Sequence, residues 1–108
     1  MERSECIVDE HDHVLLGFGV CDRQEALINA VYVDPRCVNR HVGTGLVTHL
    51  EGLIAGRGSS QVRLNSTLNA AGFYERLGYV RRCDSVNRLT NGVAIPCVEM
   101  VKELLSRV

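Results

Sequence analysis

The stretch INAVYVDPRCVNRHVGTGLVTHLEGLIAG, residues 28–56, leads from an apolar run through a loop with two glycines into a helical pattern. Residues 25–33 are predicted to form a strand, because the later part is apolar on both faces, as in strands covered on both sides. Asp34-Pro35 ends that strand. From Thr44 onward the apolar side chains recur at helical spacing. The stripe comprises Leu46, Val47, Leu50, Leu53 and Ile54.

The segment after this helix completes a strand–helix–strand unit. Gly56 and Gly58 are predicted to end the helix. Residues 61–66 alternate apolar and polar side chains, which is typical of a strand with one buried face. A strand, a glycine turn, a helix and a second strand form a βαβ unit. Its strands are expected to be parallel and its crossover right-handed.

The N-terminal segment predicts two strands, at residues 4–9 and 14–21, joined by the polar turn His11-Asp12-His13. A His-x-His pair on a strand can bind a metal ion, but no third ligand lies nearby in the sequence. A solvated hairpin is therefore preferred, and no metal is predicted.

The C-terminal segment predicts a short helix and a hairpin. The helix covers residues 69–77, with Asn69 as its N-cap and Gly78 as its stop. The dipeptide Asn91-Gly92 is a strong hairpin signal. The strands on its two sides are predicted at residues 79–89 and 93–102.

The composition limits the class of protein. The chain has 108 residues, 45% hydrophobic and 23% charged, as expected for a single domain over residues 1–108. A net charge of −1 provides no basic surplus for nucleic-acid backbones. No apolar run approaches the roughly 20 residues of a membrane span. Five cysteines without zinc-site or C-x-x-C spacing indicate free thiols. We expect a cytoplasmic protein that binds neither nucleic acid nor membrane.

Two glycines before a helix are typical of a phosphate-binding turn, because their backbone N–H groups meet an anion without side chains in the way. A Walker-A loop requires Gly-Lys-Ser/Thr at the helix start, whereas Gly45 precedes Leu46. A dinucleotide fingerprint requires a third glycine where Thr48 stands, and an acidic residue where Asn65 and Ser66 stand. Neither signature fits this loop.

Four runs of the sequence carry a family resemblance. They are YVDP from residue 32, VNRHVGTGLVTHLE from residue 38, STLNAAGFYERLGY from residue 66 and VEMVKEL from residue 98. In this order and spacing they resemble the GNAT superfamily of N-acetyltransferases, over roughly residues 6–104. The resemblance implies an α/β (α+β) domain with a mixed, mostly antiparallel sheet and a central βαβ coenzyme-binding unit. It also implies transfer of an acetyl group from acetyl-CoA to a primary amine.

The resemblance further assigns roles to individual residues. The pantetheine arm of acetyl-CoA would pair with the strand before the loop, near Val31 and Val33. Asn69 would contact the coenzyme, and Tyr74 would lie near the thioester sulfur and protonate the leaving thiolate. The pyrophosphate would bind N–H groups of the loop and first turn. The residues concerned are Arg40, His41, Val42, Gly43, Thr44 and Gly45.

The family loop, Arg/Gln-x-x-Gly-x-Gly/Ala, fits this sequence in two registers. Arg40-x-x-Gly43-x-Gly45 matches the letters, but it places Pro35 two residues further from the loop than is common. A gapless alignment instead puts His41 and Gly43 at the glycine positions, and is preferred because both flanks then agree. His41 would then place a side chain where the backbone approaches a phosphate, which weakens binding unless the imidazole donates to the anion.

Many family members place a glutamate on the strand before the loop as the general base. The matching position is Leu27 in the gapless register and Asn29 in the other, and neither side chain accepts that proton. Glu25 lies on the same face of a regular strand and is the predicted substitute. Otherwise a chain of water molecules must accept the proton, or the amine must already be neutral when it reacts.

Family domains generally begin with a strand and two helices, and this chain is expected to begin at the second strand, as an N-terminally truncated domain. Part of the apolar sheet face is then expected to be exposed, which predicts a homodimer or a covering partner. The predicted activity is acetyl transfer with Tyr74 as the acid. The alternative is a coenzyme-A-binding module or oligomeric remnant without turnover, which His41 and the absent carboxylate favour.

Overall fold

The computed structural model describes residues 4–37 and 41–104, which form one sheet with helices packed against it. In these ranges, short 3₁₀ turns at Pro35–Cys37 and Leu68–Ala70 precede the two α-helices. In chain order the elements are β1 (Ser4–His11), β2 (Val14–Asp22), β3 (Leu27–Val33), α1 (Val42–Gly56), β4 (Gln61–Thr67), α2 (Ala71–Arg76), β5 (Val80–Arg88) and β6 (Ala94–Glu103).

The strand order in the sheet is β1-β2-β3-β4-β6-β5. The βαβ unit β3-α1-β4 supplies the parallel pair, and the other neighbouring strands are antiparallel. The predicted mixed, mostly antiparallel sheet with a central βαβ unit is therefore confirmed.

Left-handed residues close the two outer hairpins. Asp12 and His13 have φ angles of 51° and 65° between β1 and β2, and Gly92 has a φ angle of 87° between β5 and β6. The N–H of Gly92 donates to the carbonyl of Leu89 at 2.9 Å, which closes the second turn. Both predicted turns are confirmed.

Helix α1 lies directly on β2, because two glycines of that strand face it. A Cβ added at Gly19 would lie 2.8 Å from Leu50 Cδ1, and one at Gly17 would lie 3.1 Å from Leu46 Cδ1. Burying each leucine stabilises the fold by about 1.5–3 kcal/mol. Helix α2 packs on the same core, to which it contributes Ala71 and Tyr74. Both helices therefore cover the same face of the sheet.

The opposite face of β1 to β3 carries apolar side chains that no element in residues 4–37 and 41–104 covers. Phe18 and Tyr32 stack there with ring centroids 5.3 Å apart. Val8 pairs with Phe18 across the strands, so its side chain shares that face, and it is 60% exposed. We call Val8, Phe18 and Tyr32 the open apolar face.

Two helix boundaries differ from the predictions. Helix α1 begins at Val42 rather than Thr44, because the loop turns at His41 and both Gly43 and Gly45 already lie in the helix. Asn69 is not an N-cap: it lies inside the Leu68–Ala70 3₁₀ turn, and the N-cap of α2 is Ala70. The extended residue that precedes the helical backbone is Thr67, with φ −63° and ψ 158°, so the predicted cap was two residues late.

Candidate functional site

The N-terminus of α1 has features that favour the binding of an anion. The N–H of Gly45 donates to the carbonyl of His41 at 3.0 Å, which is the first helical bond. The N–H groups of Val42, Gly43 and Thr44 precede that bond and have no acceptor within the helix. Among the described residues, no side-chain bond caps the helix, and its first turn holds no acidic residue. These N–H groups and the helix dipole together favour a bound negative charge.

The backbone of this loop distinguishes between the two registers. His41 has φ 60° and ψ 20°, the left-handed conformation that glycine adopts most readily. A Cβ at Gly43 would lie 3.2 Å from Phe73 Cζ and 3.3 Å from Val33 Cγ2, whereas one at Gly45 would meet no atom within 4 Å. The positions that need glycine are thus 41 and 43, which favours the gapless register.

Strands β3 and β4 separate beside this helix end. Their pairing consists of Leu27 with Arg63 and Ile28 with Leu64. From Ala30 onward, β3 is paired with β2, while its other edge faces a gap. Backbone N–H and C=O groups along that edge are available to an extended ligand that carries amides.

An apolar cavity of about 210 Å³ joins this edge to the start of α1. Val31 and Val33 supply one wall, and Gly43 supplies the helix side. Ala70, Phe73 and Tyr74 close it from the α2 side. The cavity therefore adjoins the helix N-terminus and suits an aliphatic chain attached to an anionic group.

A second cavity, of about 250 Å³, lies in the gap between β3 and β4. Its wall includes Val31, Ala70 and Tyr74, which also line the apolar cavity, so the two cavities meet at these residues. Beside apolar residues, its wall includes residues with amide or aliphatic hydroxyl side chains, which the first cavity lacks. These are Asn29, Asn65, Ser66, Thr67 and Asn87.

Tyr74 lies at the junction of the two cavities. The residue is only 9% exposed, and its ring meets the rings of Phe73 and Tyr79 edge to face, with centroids 5.0 and 5.7 Å away. Burial raises the pKa of the Tyr74 phenol above its ordinary value. The hydroxyl is therefore protonated at neutral pH and can act as a proton donor.

The structure brings most of the predicted site residues together. Val31, Val33, Gly43 and Tyr74 line the apolar cavity, and the segment from His41 to Gly45 forms the end of α1 beside it. Asn69 is exposed in the turn before α2 and is not among the residues that line either cavity. Arg40 lies outside the described residues.

Glu25 lies apart from this group. It precedes β3, at the end where β3 and β4 are still paired, and the side chain is half exposed. Its carboxylate Oε1 lies 3.5 Å from Arg63 Nη2, and it is not among the residues that line the two cavities. The geometry therefore does not place Glu25 beside Tyr74.

Sequence reasoning missed the amide lining of the second cavity. Asn29, Asn65 and Asn87 come from β3, β4 and β5, and no motif connects them. The alternation in residues 61–67 indicates that Asn65 is polar and off the core side, but only the divergence of the strands turns it toward a cavity.

Residues 4–37 and 41–104 contain no cluster of three or more potential metal ligands. Neither of the helices in those ranges has the length and apolar character needed to cross a bilayer.

The fold and the site define an α/β domain with an unpaired strand edge, an apolar cavity and a buried tyrosine beside the N-terminus of α1. A family model described as the acetyltransferase (GNAT) domain matches residues 1–104. The chain therefore belongs to the GNAT family. A search of curated protein sequences gave no match.

Solved structures share the fold. A GCN5-related N-acetyltransferase (aminotransferase, class-II) from Rhodopseudomonas palustris has 30% identity and a TM-score of 0.88, over 94% of this chain and 62% of that one. An aminoglycoside 6′-N-acetyltransferase complexed with coenzyme A has 20% identity and a TM-score of 0.76, over 98% and 76% of the two chains. The Escherichia coli ribosomal-protein-S18-alanine N-acetyltransferase has 19% identity and a TM-score of 0.77, over 100% and 74%. This chain thus spans less than two thirds of the Rhodopseudomonas protein.

Proposed function

We propose that this protein transfers an acetyl group from acetyl-CoA to a primary amine. The observation that carries the proposal is the meeting of two cavities at Tyr74, one apolar and beside the N-terminus of α1, the other lined by amides and hydroxyls. Membership of the GNAT family supports this activity, and a protein of the same fold is known in complex with coenzyme A.

The chain offers a binding group for each part of acetyl-CoA. The N–H groups of residues 42–44, which have no acceptor within the helix, suit the pyrophosphate. The edge of β3 at Val31 and Val33, which is not paired with β4, suits the pantetheine amides. The apolar cavity suits the aliphatic part of the arm. When bound, acetyl-CoA supplies an acetyl group activated as a thioester.

The chemistry proposed for the chain is proton supply and positioning. Tyr74 holds a proton on its Oη at neutral pH and donates it to the thiolate that departs. The two cavities bring the reactants together on either side of Tyr74, which removes much of the entropic barrier to their encounter.

The acceptor amine is proposed to enter the amide-lined cavity in its neutral form. Glu25, the predicted base, is paired with Arg63 and is not among the residues that line this cavity. Asn29, Asn65 and Asn87 provide neutral donors and acceptors that orient an amine but do not deprotonate it. Deprotonation in solution, before binding, is therefore the route that the cavity favours.

The alternative is a coenzyme-binding module without turnover, and His41 is the observation that favours it. Its side chain projects from a left-handed backbone position at the anion site. The two functions are separated by incubating the protein with acetyl-CoA and a panel of amines, and measuring release of the free thiol. Thiol release that depends on the amine supports the transferase, whereas a thermal shift with acetyl-CoA and no release supports the module.

Tyr74→Phe tests the role of the hydroxyl in the same assay. We expect the rate to fall on the order of 10²-fold or more, as for other general acids, with the acetyl-CoA thermal shift retained. An unchanged rate would remove Tyr74 from the mechanism. Loss of the thermal shift would assign Tyr74 to binding instead.

We also propose that a second copy of the chain covers the open apolar face, so that the protein is a homodimer. The Phe18–Tyr32 stack and the exposed Val8 form one apolar patch on it. When two copies pack against each other through this patch, its apolar surface is removed from water in both copies.

A further inference from the structure

A polar network of Glu51, Tyr79 and Lys102 lies next to Tyr74 and outside the two cavities. The hydroxyl of Tyr79 donates to Glu51 Oε2 at 2.7 Å. The ammonium of Lys102 donates to both oxygens of the same carboxylate, at 3.3 and 3.2 Å. The carboxylate side chain is only 13% exposed. Hydrogen bonds to a shielded carboxylate are stronger than exposed ones, so these three side chains restrain one another's positions.

The network joins three separate elements. Glu51 lies in the middle of α1, Lys102 lies near the end of β6, and Tyr79 follows the C-terminus of α2. Lys102 Nζ also lies 5.6 Å from the centre of the Tyr79 ring, where it gains a cation–π contact. The network therefore fixes the end of α2 relative to the helix whose N-terminus forms the anion site.

Tyr79, which the network holds in place, contacts Tyr74 directly. Its backbone N–H donates to the carbonyl of Tyr74 at 3.1 Å, and its ring meets the Tyr74 ring edge to face at an interplanar angle of 74°. Both the main chain and the ring of Tyr74 are thus held by one residue. Burial and the bond to Glu51 raise the pKa of Tyr79, so this hydroxyl stays protonated and the bond persists over the neutral range.

Helix α2 needs such an anchor. It has six residues, and no side-chain bond caps its N-terminus. A helix this short is not stable on its own, so its orientation depends on tertiary contacts. An ångström of displacement at a reacting group is enough to cost on the order of 10²-fold in rate.

We propose that Glu51, Tyr79 and Lys102 are positioning residues that set the place of the Tyr74 hydroxyl relative to the N-terminus of α1. This proposal rests on the proposed acetyltransferase function for its kinetic consequence. Its structural consequence is independent of that function, because the network acts on the Tyr74 ring whether or not substrate is bound.

The first test therefore observes Tyr74 itself. Protein labelled with 3-fluorotyrosine gives ¹⁹F NMR signals from its three tyrosines, which single Tyr→Phe substitutions assign. Glu51→Gln and Lys102→Met change the network without altering Tyr74 or Tyr79. We expect each to shift or broaden the Tyr74 signal, and Lys102→Arg, which keeps the cation, to restore it toward that of the parent protein.

Arg23→Met is the matched control. Arg23 donates to the carbonyl of Leu53 at 3.0 Å and to Glu5 at 3.2 Å. It therefore also tethers α1, two residues from Glu51, but toward β1 rather than toward Tyr79. We expect no change in the Tyr74 signal. An unmoved Tyr74 signal in Glu51→Gln and Lys102→Met, or an equal shift in Arg23→Met, would overturn the proposal. Circular dichroism identifies any variant that fails to fold. If Glu51→Gln does not fold, the comparison of the Tyr74 signal between Lys102→Met and Lys102→Arg still tests the proposal.

The second test is kinetic and uses acetyl-CoA with a short peptide that has a free α-amino group. We expect Lys102→Met to lower kcat on the order of tenfold, with the KM for acetyl-CoA changed less than about twofold. Added to Tyr74→Phe, the same substitution should lower kcat no further. Equal losses in both backgrounds would contradict positioning through Tyr74. No turnover by the parent protein would count against the acetyltransferase function, while the NMR result would still decide the positioning role.

Discussion

Gly43 and Phe73 are in such close contact that a Cβ on the glycine would lie 3.2 Å from Phe73 Cζ. This contact brings the first turn of α1 against the residue that precedes Tyr74. The N-terminus of α1 and the buried tyrosine therefore lie close together, because one position in the first turn of the helix has no side chain.

Gly43→Ala should destabilise the fold and weaken acetyl-CoA binding. The added methyl meets Phe73 on one side and Val33 on the other, and overpacking of this kind costs about 1–3 kcal/mol. Urea unfolding measures the free energy, and calorimetric titration measures the affinity.

Gly45→Ala is the matched control for that substitution. Position 45 is helical and has no atom within 4 Å of an added Cβ. Alanine should therefore stabilise the helix, by up to about 1 kcal/mol. If both alanine variants change stability in the same direction, the close contact at position 43 does not have the role assigned to it.

His41→Gly should increase stability, because the residue has a φ angle of 60°. A left-handed conformation costs a residue with a Cβ roughly 1–2 kcal/mol, and glycine avoids that cost. Glycine also raises the entropy of the unfolded chain, which offsets part of the gain in stability. We expect a net gain of about 1 kcal/mol in urea unfolding.

His41→Ala separates the backbone from the imidazole. Alanine keeps the Cβ and thus the strain, so it should not reproduce the gain seen with glycine. A gain in stability with alanine equal to that with glycine would show that the imidazole, rather than the backbone angle, is unfavourable.

The pH dependence of kcat/KM should follow the acceptor amine. Tyr74 is the proposed proton donor. Burial raises its pKa, so the protonated form persists to more alkaline pH than for a free tyrosine. The rising limb should then be set by the amine, near its pKa of about 7.7–8.0 for an α-amino group and about 10.4 for a lysine side chain.

Rate profiles from pH 6 to 10 with both kinds of acceptor check this prediction. A rising limb at the same pH for both acceptors would instead point to a base on the enzyme. Glu25→Gln then tests the predicted base directly, and an unchanged limb in that variant would exclude Glu25.

Light scattering at micromolar concentration should give about twice the mass of the 11.9 kDa chain. Tyr32→Lys places a charge on the open apolar face and should shift the protein toward monomer. Val93→Lys adds the same charge at an exposed valine in the β5–β6 turn, and should leave the mass unchanged. A monomeric mass for the parent protein would contradict the dimer.

Local patterns in the sequence predicted the order of the elements and most of their positions. The stripe from Leu46 to Ile54 marks α1, and Leu50 and Ile54 are fully buried. The alternation in residues 61–66 marks β4, where Val62, Leu64 and Ser66 are buried in turn. The predicted start of α2 was wrong, because a 3₁₀ turn and a helix cap use the same residue types.

The strands, the helices, the glycine loop and the family could be predicted from local sequence, because these features depend on residues close together in the chain. The tertiary structure decided where β3 parts from β4, and so which asparagines face one cavity. It also decided the partners of Glu51, which are 28 and 51 residues away at Tyr79 and Lys102. Such contacts form only when distant elements pack together, and no local periodicity encodes them.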